Sequence, residues 1–546
     1  MIRHLTAIKQ FLPWIIWVLL ILIVFGIDLF SNQTVFLLDY VPTPIRIRDW
    51  SYYLTVPWIW TIHDGLWLLF GYIWWSKIYL LTIMIVTLVL WYRRWSRLQT
   101  LTQSDLSHTH YLPVLGMVLM VCNPVFSSRM GTQPGVWLGM VLLWRGLYYL
   151  ITRWDRLTIS IAWVIWWLWW VAMMSMNHAS FMIAILLTLL VLCRIRESRV
   201  WISSLVIAIV VWLCNINRII WWLAGANTVI QWATTFSQAN IEEFMTYNHS
   251  GLWPTVTSAL WYGFWGERYG SAYVPTWSNP RRWVAWWLLW LLAIYWAYLC
   301  YRRDPRQWVY LMIMAVISLL LWVGIASDVL APLIQWLYDY IPWYRWLREP
   351  HKRVWLYLMI LIPWMLMWYH SLSYRIRKHL PLWWSLTVIV MVSLAWAPGV
   401  PRQLMWRYDT TSYPASHRIL RDTLIDEWYT GTMLHMPWHS YHRCQRTHKV
   451  ISNPLARYMY PLQLITSDNI EIGNLYTNSS DPRSTDIDEF VRTQDLSLLI
   501  KHNITDILYT NLCADFMRYE WITQHSGLQL THDEDDLQVY RIKNKK

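Results

Sequence analysis

Leu394-Ala395-Trp396-Ala397-Pro398-Gly399-Val400-Pro401-Arg402-Gln403 marks the point at which this chain changes character. Before it run long apolar, tryptophan-laden segments separated by short basic clusters. After it, residues 399–546 are polar, of mixed charge and without a spanning segment. A tail of that size, held on one side of a membrane, indicates where the chemistry takes place.

Composition agrees with a membrane protein. Hydrophobic residues make up 56% of the 546 positions and charged residues 14%, against about 25% charged in a soluble globular chain. Many of the 47 tryptophans suit the headgroup level, where an amphipathic ring is favoured. Trp166, Trp167, Trp169 and Trp170, inside one apolar run, exceed that need and have no physical account beyond compositional bias. The net charge of +13 does not point to nucleic acid. The basic residues before 399 fall mostly in clusters between apolar runs, not along a groove with interleaved aromatics. Six cysteines form no C-x-x-C pair, so neither a zinc nor a redox motif is offered.

Spans and basic clusters together predict the topology. Met1–Gln10 carries Arg3 and Lys9 and precedes the apolar run Phe11–Phe30. That run is too long for a signal-peptide core and lacks a small-residue cleavage site, so it reads as an uncleaved first helix. Further spans are expected at 76–92, 111–128, 135–151, 157–176, 179–194, 200–216, 283–301, 308–326, 354–370 and 382–398. Each approaches the ~20 residues needed to cross ~30 Å of hydrocarbon. Clusters at Arg93 to Arg97, Arg153 with Arg156, Arg194 to Arg199, Arg302 to Arg306 and Arg375 to Lys378 alternate with less basic connections. Placing them all in the cytoplasm requires a cytoplasmic N-terminus, about eleven spans and an extracytoplasmic tail in the cell (inner or plasma) membrane.

The long connections, 31–75, 217–282 and 327–353, then fall on the outer side with the tail. Long ordered loops tend to carry function, so the outer face is the working face. Val56 to Trp75 and Ile219 to Phe236 are apolar enough to lie in the interface or re-enter. The expected architecture is a polytopic α-helical membrane domain over 1–398 and an extracytoplasmic α/β domain over 399–546. In that tail, 416–428 has a helical pattern, 431–437 reads as a strand stopped by proline, and 504–510 is a β-branched strand. Residues 486–493 read as a helix capped by Ser484 or Thr485, and 528–542 can supply two more strands.

Two constellations offer chemistry. The first outer loop holds Asp39, Arg46, Arg48 and Asp49, with Asp28 just inside the preceding helix. A carboxylate there can act as general base on an acceptor hydroxyl, and arginines can clamp a phosphate in bidentate fashion. Paired loop acids and bases are the plainer reading. The second is Trp343-Tyr344-Arg345-Trp346-Leu347-Arg348-Glu349-Pro350-His351-Lys352-Arg353, a basic cluster on the side that topology depletes of positive charge. An anionic lipid phosphate accounts for it, as does an interfacial anchor of snorkelling arginines.

Other residues are weaker candidates. His178 follows Asn177 at a tight outer turn and can line a substrate cavity or cap the turn. Glu242, Glu243 and His249 are polar residues of the second large loop, and Arg145 is ionisable within a span. His435, His439 and His442 lie near a proline turn with no carboxylate completing a ligand spacing, so no metal is read there. Cys444 and Cys513 both lie in the tail, where an oxidising compartment permits a disulfide.

Taken in order, Leu38-Asp39-Tyr40-Val41-Pro42-Thr43-Pro44, Arg348-Glu349-Pro350-His351-Lys352 and the outward tail resemble bacterial GT-C-type membrane glycosyltransferases of the mannosyl- and arabinofuranosyltransferase-like kind. In the tail, Leu434 to Tyr441, Asn453-Pro454, Asp468 to Gly473 and Asp536 to Ile542 add to the resemblance. The resemblance implies a polyprenyl-phosphate sugar as donor and an envelope glycan or protein as acceptor. Asp39 matches the family's first-loop acid, implied to be the catalytic base or a metal-supporting carboxylate, so a divalent cation stays open and no other cofactor is implied. Leu38 stands where the family commonly has glycine, and Asp28 and Asp49 stay open as the acid. Arg348 and Lys352 match the basic pair implied to touch the lipid-linked phosphate. The same scaffold also suits a non-enzymatic lipid or glycolipid translocase or envelope-assembly factor. A secondary transporter fits less well, because the spans show no paired broken helices.

Overall fold

The computed structural model describes residues 58–101, 238–248, 253–259, 305–341 and most of 410–543, with scattered positions among 15–35, 141, 198–209, 283–302 and 357–362. The chain forms two compact units. One comprises Met1–Gly26, Leu80–Ile220 and Phe244–Arg407; the other comprises Ile27–Tyr79, Trp221–Glu243 and Tyr408–Lys546.

Helix α1 (Trp58–Leu101) bends at Gly71, whose φ of 71° is readily adopted by glycine alone. Short helices α2 (Gln238–Phe244) and α3 (Pro254–Ala259) precede α4 (Pro305–Val323) and α5 (Ala331–Tyr340). Among the described residues, Leu69–Arg93 and Trp308–Ala326 are long and apolar enough to cross a membrane. The first begins seven residues before its expected start at 76, and the second coincides with the expected 308–326. Every described position within the other expected spans up to Leu22 and from Val141 to Ile362 is helical; the rest of those spans lies outside the described residues. The first run closes in a 3-10 turn, Gly26–Phe30.

Both faces of α4 are apolar, which suits a helix packed on protein on one side and lipid on the other. Tyr310, Met314 and Trp322 are fully buried, whereas Val309, Ile313, Val316 and Leu320 face outward at successive turns. Polar groups inside this unit are matched locally. The Thr246 hydroxyl donates to the Trp322 carbonyl at 2.6 Å, and the Tyr357 amide donates to Ser318 Oγ at 3.1 Å. Glycine at 324, with φ 56°, ends α4 in the left-handed conformation that commonly terminates helices.

The second unit contains the tail. Strand β1 (Thr34–Val35) pairs antiparallel with β2 (Thr410–Thr411). Helix α6 (Ala415–Asp426) leads into β3 (Thr432–Met436), and β4 (Tyr441–Arg443) pairs with β5 (Val450–Ser452). Then come α7 (Leu455–Tyr458), β6 (Gln463–Ile465), and a pair formed by β7 (Glu471–Ile472) and β8 (Leu475–Tyr476). Helices α8 (Ser484–Thr493) and α9 (Ser497–Ile500) precede β9 (Asp506–Thr510). Helices α10 (Phe516–Tyr519) and α11 (Trp521–Gln524) precede the hairpin β10 (Leu528–Glu534) and β11 (Leu537–Ile542). The main sheet has the order β10-β11-β9-β3-β6, with β6, β3 and β9 parallel and the hairpin antiparallel.

Alternation along the strands makes this sheet two-sided. Met433, Leu508, Leu537 and Val539 meet Leu420, Leu424 and Met459 on one face. Leu434, Met436, Ile507, Tyr509 and Tyr540 meet Ile487, Phe490, Leu499 and Ile522 on the other. The result is an α/β/α sandwich. Its helix α8 departs from the expected capping: the helix begins at Ser484 with no side-chain cap, because Asp481 serves the entry instead. Asp481 Oδ1 accepts the Arg483 amide at 2.9 Å, and its carbonyl accepts the Ser484 amide at 2.9 Å.

Two buried acids hold the sandwich. Asp506, 1% exposed, accepts Tyr429 Oη at 2.6 Å, Thr505 Oγ1 at 2.6 Å and Arg541 Nε at 3.1 Å. Burial and the Asp506 carboxylate push the Tyr429 phenol above its ordinary value. Asp536 sits in the β10–β11 turn and accepts the Ser416 hydroxyl and His417 Nε2, the latter at 3.0 Å, tying α6 to the hairpin.

Truncating Phe490 to alanine is expected to cost about 3–5 kcal/mol, read as a lower thermal midpoint of tail proteolysis in the full chain. The Arg483 guanidinium holds the Asp481 carboxyl below its usual range. A depressed carboxylate stabilises fully above its unfolded pKa and loses that contribution as pH falls through the folded value. The gap in midpoint between the native chain and D481N should therefore be open near neutrality and close in acid.

Candidate functional site

The segment that follows the first apolar run is held at successive points. Asp28 lies in the 3-10 turn Gly26–Phe30. At the end of that turn the Lys77 ammonium donates to the Ser31 carbonyl and, at 3.1 Å, to Ser31 Oγ. Lys77 is 1% exposed and its Nζ lies 5.4 Å from the Trp74 ring centroid. An ammonium on an apolar helix must find acceptors, since burying it without them is costly. Three residues further on, Thr34 and Val35 pair with Thr411 and Thr410 of the tail.

The start of α1 also meets the tail. Burial, with the Tyr72 phenol nearby, pushes Tyr458 up to about 12, while Arg421 and Arg418 act in the opposite direction. Tyr413 stacks near Tyr458 at 4.7 Å between ring centroids, and His417 meets the same ring edge-on at 5.6 Å. An aromatic and cationic patch thus joins α1 to α6 and α7.

A second polar cluster occupies the carboxyl ends of the parallel strands, where open α/β sheets commonly bind ligands. His435, 1% exposed, lies between Thr510 Oγ1 at 3.1 Å and Asn453 Nδ2 at 3.0 Å. Asn453 Oδ1 accepts the Leu455 amide, so its Nδ2 donates to His435 Nδ1 and the imidazole is the neutral Nε2–H tautomer. His439 Nε2 lies 3.2 Å from Tyr519 Oη. Asn469 Oδ1 accepts the Ser440 amide at 2.9 Å and the Ser467 hydroxyl at 2.5 Å. These buried groups are engaged with one another, which makes the cluster an architectural lock. No group of three His, Cys, Asp or Glu able to hold a metal occurs among the described residues.

The other sequence-derived candidates fall elsewhere. Asp39, Arg46, Arg48, Asp49, His178, Arg345, Arg348 and Lys352 lie outside the described residues, as do Arg145, His249, Cys444 and Cys513. Of Asp28 only the backbone placement is described. Glu242 and Glu243 belong to α2. Lys77 was not singled out from the sequence. The rule that flags Arg145 as an ionisable residue in an apolar run applies equally to Lys77, between Ser76 and Ile78.

Compared with solved structures, the chain matches the arabinofuranosyltransferase AftD from Mycobacteria with a TM-score of 0.56 at 12% identity. A point mutant of that enzyme matches in two classes, with TM-scores of 0.58 and 0.53 at 13% identity. The fold is GT-C-like. The match covers 98% of this chain and 40% of the wild-type AftD chain, so this protein spans less than half its length. At this identity the likeness concerns the fold alone. No protein-family model matches the sequence, and no curated protein does.

Replacing Lys77 with methionine removes a charged donor from Ser31 and should cost about 1.5–3 kcal/mol. Faster proteolysis of the 31–57 segment in the full-length chain is the expected reading, with K77R intermediate. V35P should break the ladder to Thr410 and accelerate the same cleavage without changing the melting of the tail sandwich.

Proposed function

We propose that this protein transfers a sugar from a polyprenyl-phosphate donor to an envelope glycan or protein acceptor at the outer face of the cell membrane. The observation that carries this reading is the GT-C-like fold over 98% of the chain, whose solved counterpart is an arabinofuranosyltransferase. The β1–β2 ladder supports it by tethering the segment that leads to Asp39 to the tail. A small apolar cleft of about 120 Å³, lined by Trp290, Ile294, Met312, Val316, Leu319 and Leu361, suits a length of hydrocarbon chain.

In the proposed reaction an acceptor hydroxyl attacks the anomeric carbon while the bond from that carbon to the phosphate oxygen breaks. Asp39 takes the hydroxyl proton, with Asp28 and Asp49 as the competing bases. Arg348 and Lys352, with Arg345, neutralise the departing phosphate, which leaves as a polyprenyl phosphate. Arg46, Arg48 and His178 line the approach of donor or acceptor, and the extracytoplasmic tail selects the acceptor.

Single replacements D28N, D39N and D49N, assayed for transfer from a radiolabelled polyprenyl-phosphate sugar in membranes, test the reading. One of the three is expected to lose about 100-fold or more in rate, as removal of a general base does. Full activity in all three, or no transfer by the native chain, sinks it in favour of a translocation or assembly role. Replacing Arg348 or Lys352 with glutamine should raise the donor KM more than the acceptor KM.

A further inference from the structure

Helix α5 leaves one face uncovered. At 3.6 residues per turn, Pro332, Leu333, Trp336 and Tyr340 fall within an arc of about 100°. Leu333, Trp336 and Tyr340 are 54%, 52% and 71% exposed, and Val329 in the preceding turn is 87% exposed. The opposite face buries Ile334 and Tyr338. One edge of the exposed face is polar, where Gln335 Nε2 donates to Asp339 Oδ1 at 3.0 Å. Trp336 and Tyr340 lie 5.7 Å apart between ring centroids, forming a broad aromatic surface.

The neighbouring chain identifies what covers this face. Helix α4 passes into α5 through the 3-10 turn Gly324–Ala326 and the turn at 327–330. Ala326 ends a segment apolar enough to cross a membrane, and its outward stripe Val309, Ile313, Val316 and Leu320 is suited to lipid. A helix of ten residues is about 15 Å long, half the hydrocarbon thickness, so α5 cannot cross. Beginning five residues after a span ends, it is confined to the level of the membrane boundary. Tryptophan and tyrosine are the side chains enriched there, with apolar bodies and polar tips.

We propose that α5 is an interfacial helix whose Leu333, Trp336 and Tyr340 face, extended by Val329, rests in the boundary between headgroups and acyl chains. Residues 327–341 contain Asp328 and Asp339 but no lysine or arginine. Anchoring therefore comes from apolar burial and is indifferent to anionic lipid. This assignment does not rest on sugar transfer and holds equally for a translocase.

The unmodified full-length chain tests it after reconstitution in phosphatidylcholine vesicles doped with a phospholipid carrying a diazirine near the headgroup end of one acyl chain. After irradiation, mass spectrometry should find adducts on Leu333, Trp336 and Tyr340 several-fold above those on Asp339. A mid-chain diazirine should shift labelling to Val316 and Ile313 of α4. Labelling of α4 with none on 329–340 overturns the proposal, as does cross-linking of α5 to a second copy of the chain in place of lipid. Adding phosphatidylglycerol should leave the α5 adduct yield unchanged, and a yield that appears only with anionic lipid overturns the apolar anchoring.

Discussion

A backbone amide or carbonyl placed in hydrocarbon without a partner costs several kcal/mol, and this penalty organises the whole chain. Apolar runs satisfy it by becoming helices, whose hydrogen bonds stay within the segment. Side-chain polar groups in those runs obey the same rule with whatever acceptor is nearest. Lys77 takes the carbonyl and hydroxyl of Ser31, and Thr246 takes the carbonyl of Trp322. Among the described residues, sheet structure, which needs partners distant in sequence, occurs at Thr34–Val35 and in the tail.

In the tail, the same demand for partners is met by polar residues buried at strand ends. Asp506 gathers Tyr429, Thr505 and Arg541, and Asp536 gathers Ser416 and His417. Several short motifs that resemble GT-C enzymes, including those containing His435, Asn453, Asn469 and Asp536, therefore encode architecture. They hold the carboxyl ends of β3, β6 and β9 and the β10–β11 turn.

The segment that follows the first apolar run is tied down at two points. Lys77 fixes Ser31 and the β1–β2 ladder fixes Thr34 and Val35, so this short stretch is held both to α1 and to the tail. A base positioned by a tethered backbone loses less freedom on reaching its reactive geometry, which is how orientation contributes to rate. Under the proposed transfer reaction, a base carried close to the tethered stretch would benefit in this way.

The membrane class, the span at 308–326 and several helices and strands of the tail were legible in the sequence, because hydropathy and side-chain periodicity act over neighbouring residues; the short strands and helices between Tyr441 and Tyr476 were not. The helix at 415–426 and the strands at 432–436 and 506–510 lie close to where that periodicity puts them. The expected cap by Ser484 or Thr485 was displaced by Asp481, a competition between hydroxyl and carboxylate that local pattern does not rank. Tertiary structure alone decided that Lys77 grips Ser31, 46 residues away, and that Val35 pairs with Thr410. It also decided which face of Ala331–Tyr340 stays uncovered. Contacts across such separations depend on how whole elements pack, and no single stretch of the chain carries that information.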